Sequence, residues 1–144
     1  MSGTGKSTLV RELRRRGFTA YDADDDGYTE PDAEGVWRWR VAAVAALLAE
    51  REEGLLFFAG CSEEQTQFEW DLRVLLLAPE AVILERLVAR DTNTFGKSAE
   101  QRERVLADRR EVEPWLRLVA DLAIETTLPL GEVLERLLLA VRDE

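Results

Sequence analysis

Short continuous apolar runs alternate along the chain with stretches in which apolar residues recur every three or four positions. Leu9, Val10 and Leu13 share one helical face, with Arg11, Glu12, Arg14 and Arg15 outside it. This spacing predicts a helix over 6–16 that stops at Gly17. Phe18–Tyr21 reads as a short strand, and 22–35, with its Asp, Gly and Pro31, as loop. A helix rich in Ala, Leu and Val is expected over 36–53. A buried strand, Leu55–Ala59, follows, with Gly60 as its exit. Residues 61–71 are polar and read as a short helix or loop, and Leu72–Leu77 is a second buried strand. Pro79 suits the first turn of a helix reaching about Arg90, and 91–98 is a polar loop. A long helix over 99–119 should break at Pro114. A strand over Leu122–Glu125 and a helix over 130–142 complete the chain. Unalternating apolar strands separated by helices predict an α/β fold whose parallel sheet is covered on both faces.

Composition narrows the partners. The 144 residues are enough for one domain with a real core, and 1–144 is expected to be a single domain. A net charge of −10 argues against a general nucleic-acid binder, although a small basic site remains compatible with it. No apolar run is long enough to span a bilayer, so neither nucleic acid nor membrane is an expected partner. A single cysteine, Cys61, excludes an intrachain disulfide and fits a reducing, cytoplasmic setting. Its place after an apolar run predicts a buried, inert thiol. With no histidine, no His-based metal site or general base is available.

Chemistry begins at the first residues. Ser2-Gly3-Thr4-Gly5-Lys6-Ser7-Thr8 ends in the Gly-Lys-Ser that closes the pattern G-x-x-x-x-G-K-[ST], and the loop feeds a helix N-terminus. Main-chain N–H groups and the helix dipole would face an anion there. Lys6 would reach the outer phosphates and the Ser7 hydroxyl would ligate Mg²⁺. The plainer alternative is a flexible start to an ordinary helix. Lys6 and Lys97 are the only lysines among nineteen basic residues, and lysine is the compact point charge suited to phosphate. Lys97 is equally readable as a solvated loop charge.

Asp22-Ala23-Asp24-Asp25-Asp26-Gly27 imitates half of a calcium loop, but the twelfth position is Ala33 where a glutamate is required. Asp22 and Asp24 instead fall at the carboxyl end of a strand, where open α/β sheets bind ligands. One carboxylate there can serve Mg²⁺ and another can take a proton from a hydroxyl. A solvated acidic turn is the alternative. Arg86 and Arg90 lie four apart on one helical face, ahead of Asn93 and Lys97. They read equally as stabilisers of phosphoryl charge or as surface pairs. Arg38 and Arg40 flank Trp39 and could face an acceptor, while the tryptophans read as anchors.

Taken in order, these residues resemble the P-loop small-molecule kinases of the shikimate, gluconate and adenylate kinase type. More closely, they resemble a bacterial kinase-like "AAA family ATPase" group. The resemblance spans nearly the whole chain. It rests on Gly3–Thr8, Asp22-x-Asp24, Gly60-Cys61-Ser62, Leu84 through Arg90 to Lys97, and Ala120 through Thr127. It implies a three-layer P-loop NTPase fold with strand order 2-3-1-4-5, a short lid over 91–98 and an acceptor side over 27–53. ATP and Mg²⁺ are the implied cofactors. Gly3, Thr4, Gly5, Lys6, Ser7, Thr8, Thr126 and Thr127 would bind the nucleotide, with Ser7 and Asp22 at the metal. Lys6, Asp24, Arg86, Arg90 and Lys97 would carry phosphoryl transfer to a small-molecule hydroxyl. Two departures stand out. The pattern's leading glycine and the strand before it would precede Met1, so the chain is expected to be a truncated or mis-started form that reading the upstream codons would test. The strand ending at Ala59 also lacks the usual aspartate, which moves the metal role toward Asp22. A nucleotide-hydrolysing regulator without an acceptor, or an inactive fragment, are the competing readings. The acceptor and the oligomeric state are not written in the sequence.

Overall fold

The first helix, α1 (Lys6–Arg15), ends where the periodicity breaks. Gly17 takes φ 90°, a left-handed conformation that suits glycine. Its N–H donates to the Arg14 carbonyl at 3.0 Å and the Phe18 N–H to the Leu13 carbonyl at 3.0 Å, which is a Schellman stop. The chain then enters β1 (Thr19–Asp22). The computed structural model describes residues 4–51, 53–89 and 98–142. These form two compact units, Lys6–Trp70 and Asp71–Glu144, the latter together with the residues through Gly5.

In the Lys6–Trp70 unit, β1 pairs in parallel with β4 (Leu56–Ala59), Asp22 standing opposite Ala59. The apolar face of α1, Leu9, Val10 and Leu13, is buried, and α1 packs on both strands. Between them the chain departs from expectation. Residues 22–35 are not all loop, because β2 (Thr29–Pro31) pairs antiparallel with β3 (Trp37–Trp39). The turn is built by Asp32, whose Oδ1 accepts from the N–H groups of Glu34 and Val36 at 2.9 Å each. Gly35 supplies φ 79°. The following helix, α2 (Val41–Glu50), therefore begins five residues later than the apolar composition implied. Trp37 and Arg38 are exposed and Trp39 is buried, so a three-residue strand lies inside a run that reads as helical. A 3₁₀ helix over Glu63–Gln67 follows β4.

In the other unit, β5 (Val74–Leu77) pairs in parallel with β6 (Leu122–Glu125). The connection holds α3 (Glu80–Ala89) and α4 (Ala99–Val119), and α5 (Leu130–Arg142) packs back on β6. Pro79 stands just outside α3, its carbonyl accepting from Val82 and Ile83. α4 runs through Pro114 without the expected break. Proline removes one main-chain donor, and buried Val105, Leu106 and Leu116 hold the helix on both sides of it. With β1 parallel to β4 and β5 parallel to β6, and helices between the strands, the fold is α/β as expected.

Candidate functional site

The carboxyl end of β1 gathers the acidic residues around one buried group. Asp22 is 6% exposed. Its Oδ1 accepts the N–H of Asp24 at 3.0 Å and of Asp25 at 3.2 Å, and its Oδ2 accepts the Ser7 hydroxyl at 2.9 Å. The helix start and the strand end thus meet at Ser7 and Asp22, the two residues expected at a metal. Two hard oxygen ligands of this kind suit Mg²⁺, which keeps most of its shell as water and substrate oxygens. Asp26 points elsewhere. Its Oδ2 accepts the Asp22 N–H at 2.6 Å and pairs with Arg14 at 2.5 Å, so this carboxylate closes the turn. Arg14 carries no motif signal and Asp26 only that of the half calcium loop, and the folded turn brings them together. Asp24 is exposed at the same strand end. Burial, then the charges of Asp22, Asp24 and Asp26, push the Asp25 carboxyl above its ordinary pKa. Among the described residues no three acidic or cysteine side chains converge on a metal position.

Lys6 opens α1, and Ser7 and Thr8 occupy its first turn, with both hydroxyl-bearing residues exposed. Within the other unit, Thr4 is buried and Gly5 takes φ 97°. A Cβ on Gly5 would lie 3.6 Å from Thr126 Cβ and 3.8 Å from Arg86 Nη1. Arg86 is half-buried and grips Thr126, Nη1 donating to Oγ1 at 2.8 Å and Nη2 to the main-chain oxygen at 2.7 Å. This is not the i,i+4 surface pair that the sequence allowed, because its partner lies forty positions away. Thr127 is exposed beside it. Gly3, Arg90 and Lys97 lie outside the described residues.

On the acceptor side, the expectation for the two arginines changes. Arg38 is held by Asp32 at 2.8 Å and Glu64 at 3.4 Å, and the first of these bonds holds the Asp32 carboxyl below its ordinary pKa. Arg40 Nη1 donates to the Gly27 carbonyl at 2.8 Å. Both brace the hairpin. Trp39 is an anchor as expected, 7% exposed, while Trp37 is 65% exposed. The Trp39 ring meets Phe58 edge-on at 5.0 Å, and Phe68 and Trp70 complete the cluster. Cys61 is exposed rather than buried, since Gly60 carries the chain out of β4 before the thiol.

With this geometry in view, the comparisons define the class. The family model described as "AAA domain" matches residues 1–115. The chain belongs to this family of P-loop nucleoside triphosphatases, and its loop is a nucleotide-binding P-loop. Such proteins generally use nucleotide with Mg²⁺. The crystal structure of TT1252 from Thermus thermophilus is 23% identical to the chain, covers 99% of it and 92% of that protein, and superposes with a TM-score of 0.57. That likeness shows a shared fold. No curated protein matches the chain. Among the described residues no helix is long and apolar enough to cross a membrane.

Proposed function

We propose that the protein transfers the terminal phosphoryl group of ATP to the hydroxyl of a small molecule. The observation that carries this reading is the 2.9 Å bond from the Ser7 hydroxyl to buried Asp22, with exposed Asp24 two residues further along. The second carboxylate, at the same strand end, is the group suited to take the acceptor's proton.

In this reading, Gly3, Thr4, Gly5, Thr8 and the main-chain N–H groups of the loop hold the phosphates, and the Lys6 ammonium neutralises the outer ones. Thr126 and Thr127 border the base. Mg²⁺, when bound, would draw charge from the β- and γ-oxygens, and Ser7 with Asp22 would hold it. Asp24 accepts the proton of the acceptor hydroxyl as its oxygen bonds to the γ-phosphorus and the bond from γ-phosphorus to the bridging oxygen breaks, leaving ADP. Arg90 and Lys97 would offset developing charge. The setting is cytoplasmic, where Mg·ATP is abundant.

A panel of hydroxylated metabolites assayed for ATP consumption by the full-length protein tests the proposal. One acceptor should raise consumption well above the rate without any. An equal rate with and without every acceptor identifies a nucleotide-hydrolysing regulator instead. Lys6→Ala should abolish turnover, and undiminished activity in that variant would overturn the assignment.

A further inference from the structure

We infer that Arg86 is a positioning residue for the phosphate loop, acting through Thr126, and that it does not itself meet the phosphates. The inference rests on the nucleotide-binding reading and reassigns one of its residues.

Both terminal nitrogens of the guanidinium go to the same residue, one to the Thr126 hydroxyl and one to its carbonyl. A planar fork can do this and a lysine cannot. Thr126 is fixed again from the opposite direction, its N–H donating to the Leu77 carbonyl at 2.8 Å and its hydroxyl donating there at 3.1 Å. The hydroxyl proton therefore belongs to Leu77 and the oxygen's lone pair to Arg86. That single orientation locks the Thr126 rotamer and turns its Cβ and Cγ2 toward Gly5, from whose Cβ position they stand 3.6 and 3.7 Å away. Gly5 is the last glycine before Lys6, at φ 97°. Its left-handed backbone rests on a side chain that the ends of β5, β6 and α3 hold in one place. Amides that must all aim at one anion gain from such a fixed support, since small misplacement of a binding loop lowers affinity steeply.

The substitutions separate positioning from contact. Thr126→Val keeps both carbons that face Gly5 and leaves the arginine charge intact, but it deletes the hydroxyl. Thr126→Ser keeps the hydroxyl. Mg·ATP affinity, measured by calorimetry on the full-length protein, should fall about tenfold in Thr126→Val and stay within about twofold of the unaltered protein in Thr126→Ser. Arg86→Gln should also fall about tenfold, and adding Thr126→Val to it should cost little more, because both break one linkage. The dependence of affinity on salt should keep its slope in Arg86→Gln, as no phosphate contact is lost. Unchanged binding in Thr126→Val would overturn the inference, as would a flattened salt slope in Arg86→Gln. Lowered melting temperatures with unchanged affinities would do the same, leaving Arg86 a purely structural role. The unaltered protein is measured first: failure to bind Mg·ATP there would remove the nucleotide reading itself, with this inference.

Discussion

Asp22 accepts three hydrogen bonds, and they divide between its two oxygens. Oδ1 closes the turn by accepting two main-chain N–H groups, and Oδ2 faces the Ser7 hydroxyl. Asparagine can keep the first set through its carbonyl oxygen, but it puts an NH₂ group where a cation would sit. Asp22→Asn should therefore fold with a melting temperature near that of the unaltered protein while losing the gain in ATP affinity that Mg²⁺ provides, a difference readable by calorimetry with and without the metal. Asp22→Ala also leaves the Asp24 and Asp25 amides without their acceptor, and about 1–3 kcal/mol of stability should go with it. The sequence made Ser7 and Asp22 legible because each belongs to a local pattern. Arg86 was legible only as a cation on a helix, since its partner, Thr126, is supplied by a strand end that periodicity cannot bring near it.

At the scale of elements, the hairpin of β2 and β3 makes a close approach to the end of β4. A Cβ on Gly60 would lie 2.9 Å from both Ala23 Cβ and Trp39 Cζ2. The indole thus lies directly over the backbone where β4 ends, beside the residue that follows Asp22. Gly60→Ala must push Trp39 and its hairpin outward. We expect a loss of about 1–3 kcal/mol by thermal or denaturant unfolding, with a change in tryptophan emission. α3 and α4 are joined differently, by Glu80 with Arg110 at 2.9 Å and Arg109 at 3.6 Å, and by Arg109 Nη2 to the Ala78 carbonyl at 3.0 Å. The helices themselves were readable from spacing, and β6 and α5 have the expected bounds. The hairpin was not, because three-residue strands are too short to show a period and their stability comes from the aromatic cluster beneath them.

For the whole molecule, acid stability is set by which carboxylates are paired. Glu12 accepts from Arg15 and Arg16, and these bonds lower its carboxyl pKa from 4.5 to about 2. A group depressed on folding contributes stability above its unfolded pKa and loses it as pH falls through the folded one. Its contribution should therefore fade between about pH 4.5 and about pH 2. Glu12→Gln should flatten that part of the curve of melting temperature against pH and leave the shape near neutrality unchanged.

What the sequence determined alone is whatever is encoded within a few residues. The stop of α1 at Gly17 follows from its period and its glycine, β4 and β5 follow from unbroken apolar runs, and the Gly5-Lys6-Ser7 motif is read from adjacent residues. Tertiary structure decided which strands pair, which arginines are consumed by internal partners and which glycines have rings pressed against them. Those outcomes depend on atoms brought to 3 Å from positions fifteen to forty apart, as with Ser7 and Asp22 or Arg86 and Thr126. No window of local sequence contains both members of such a pair, so only the folded chain can choose between them.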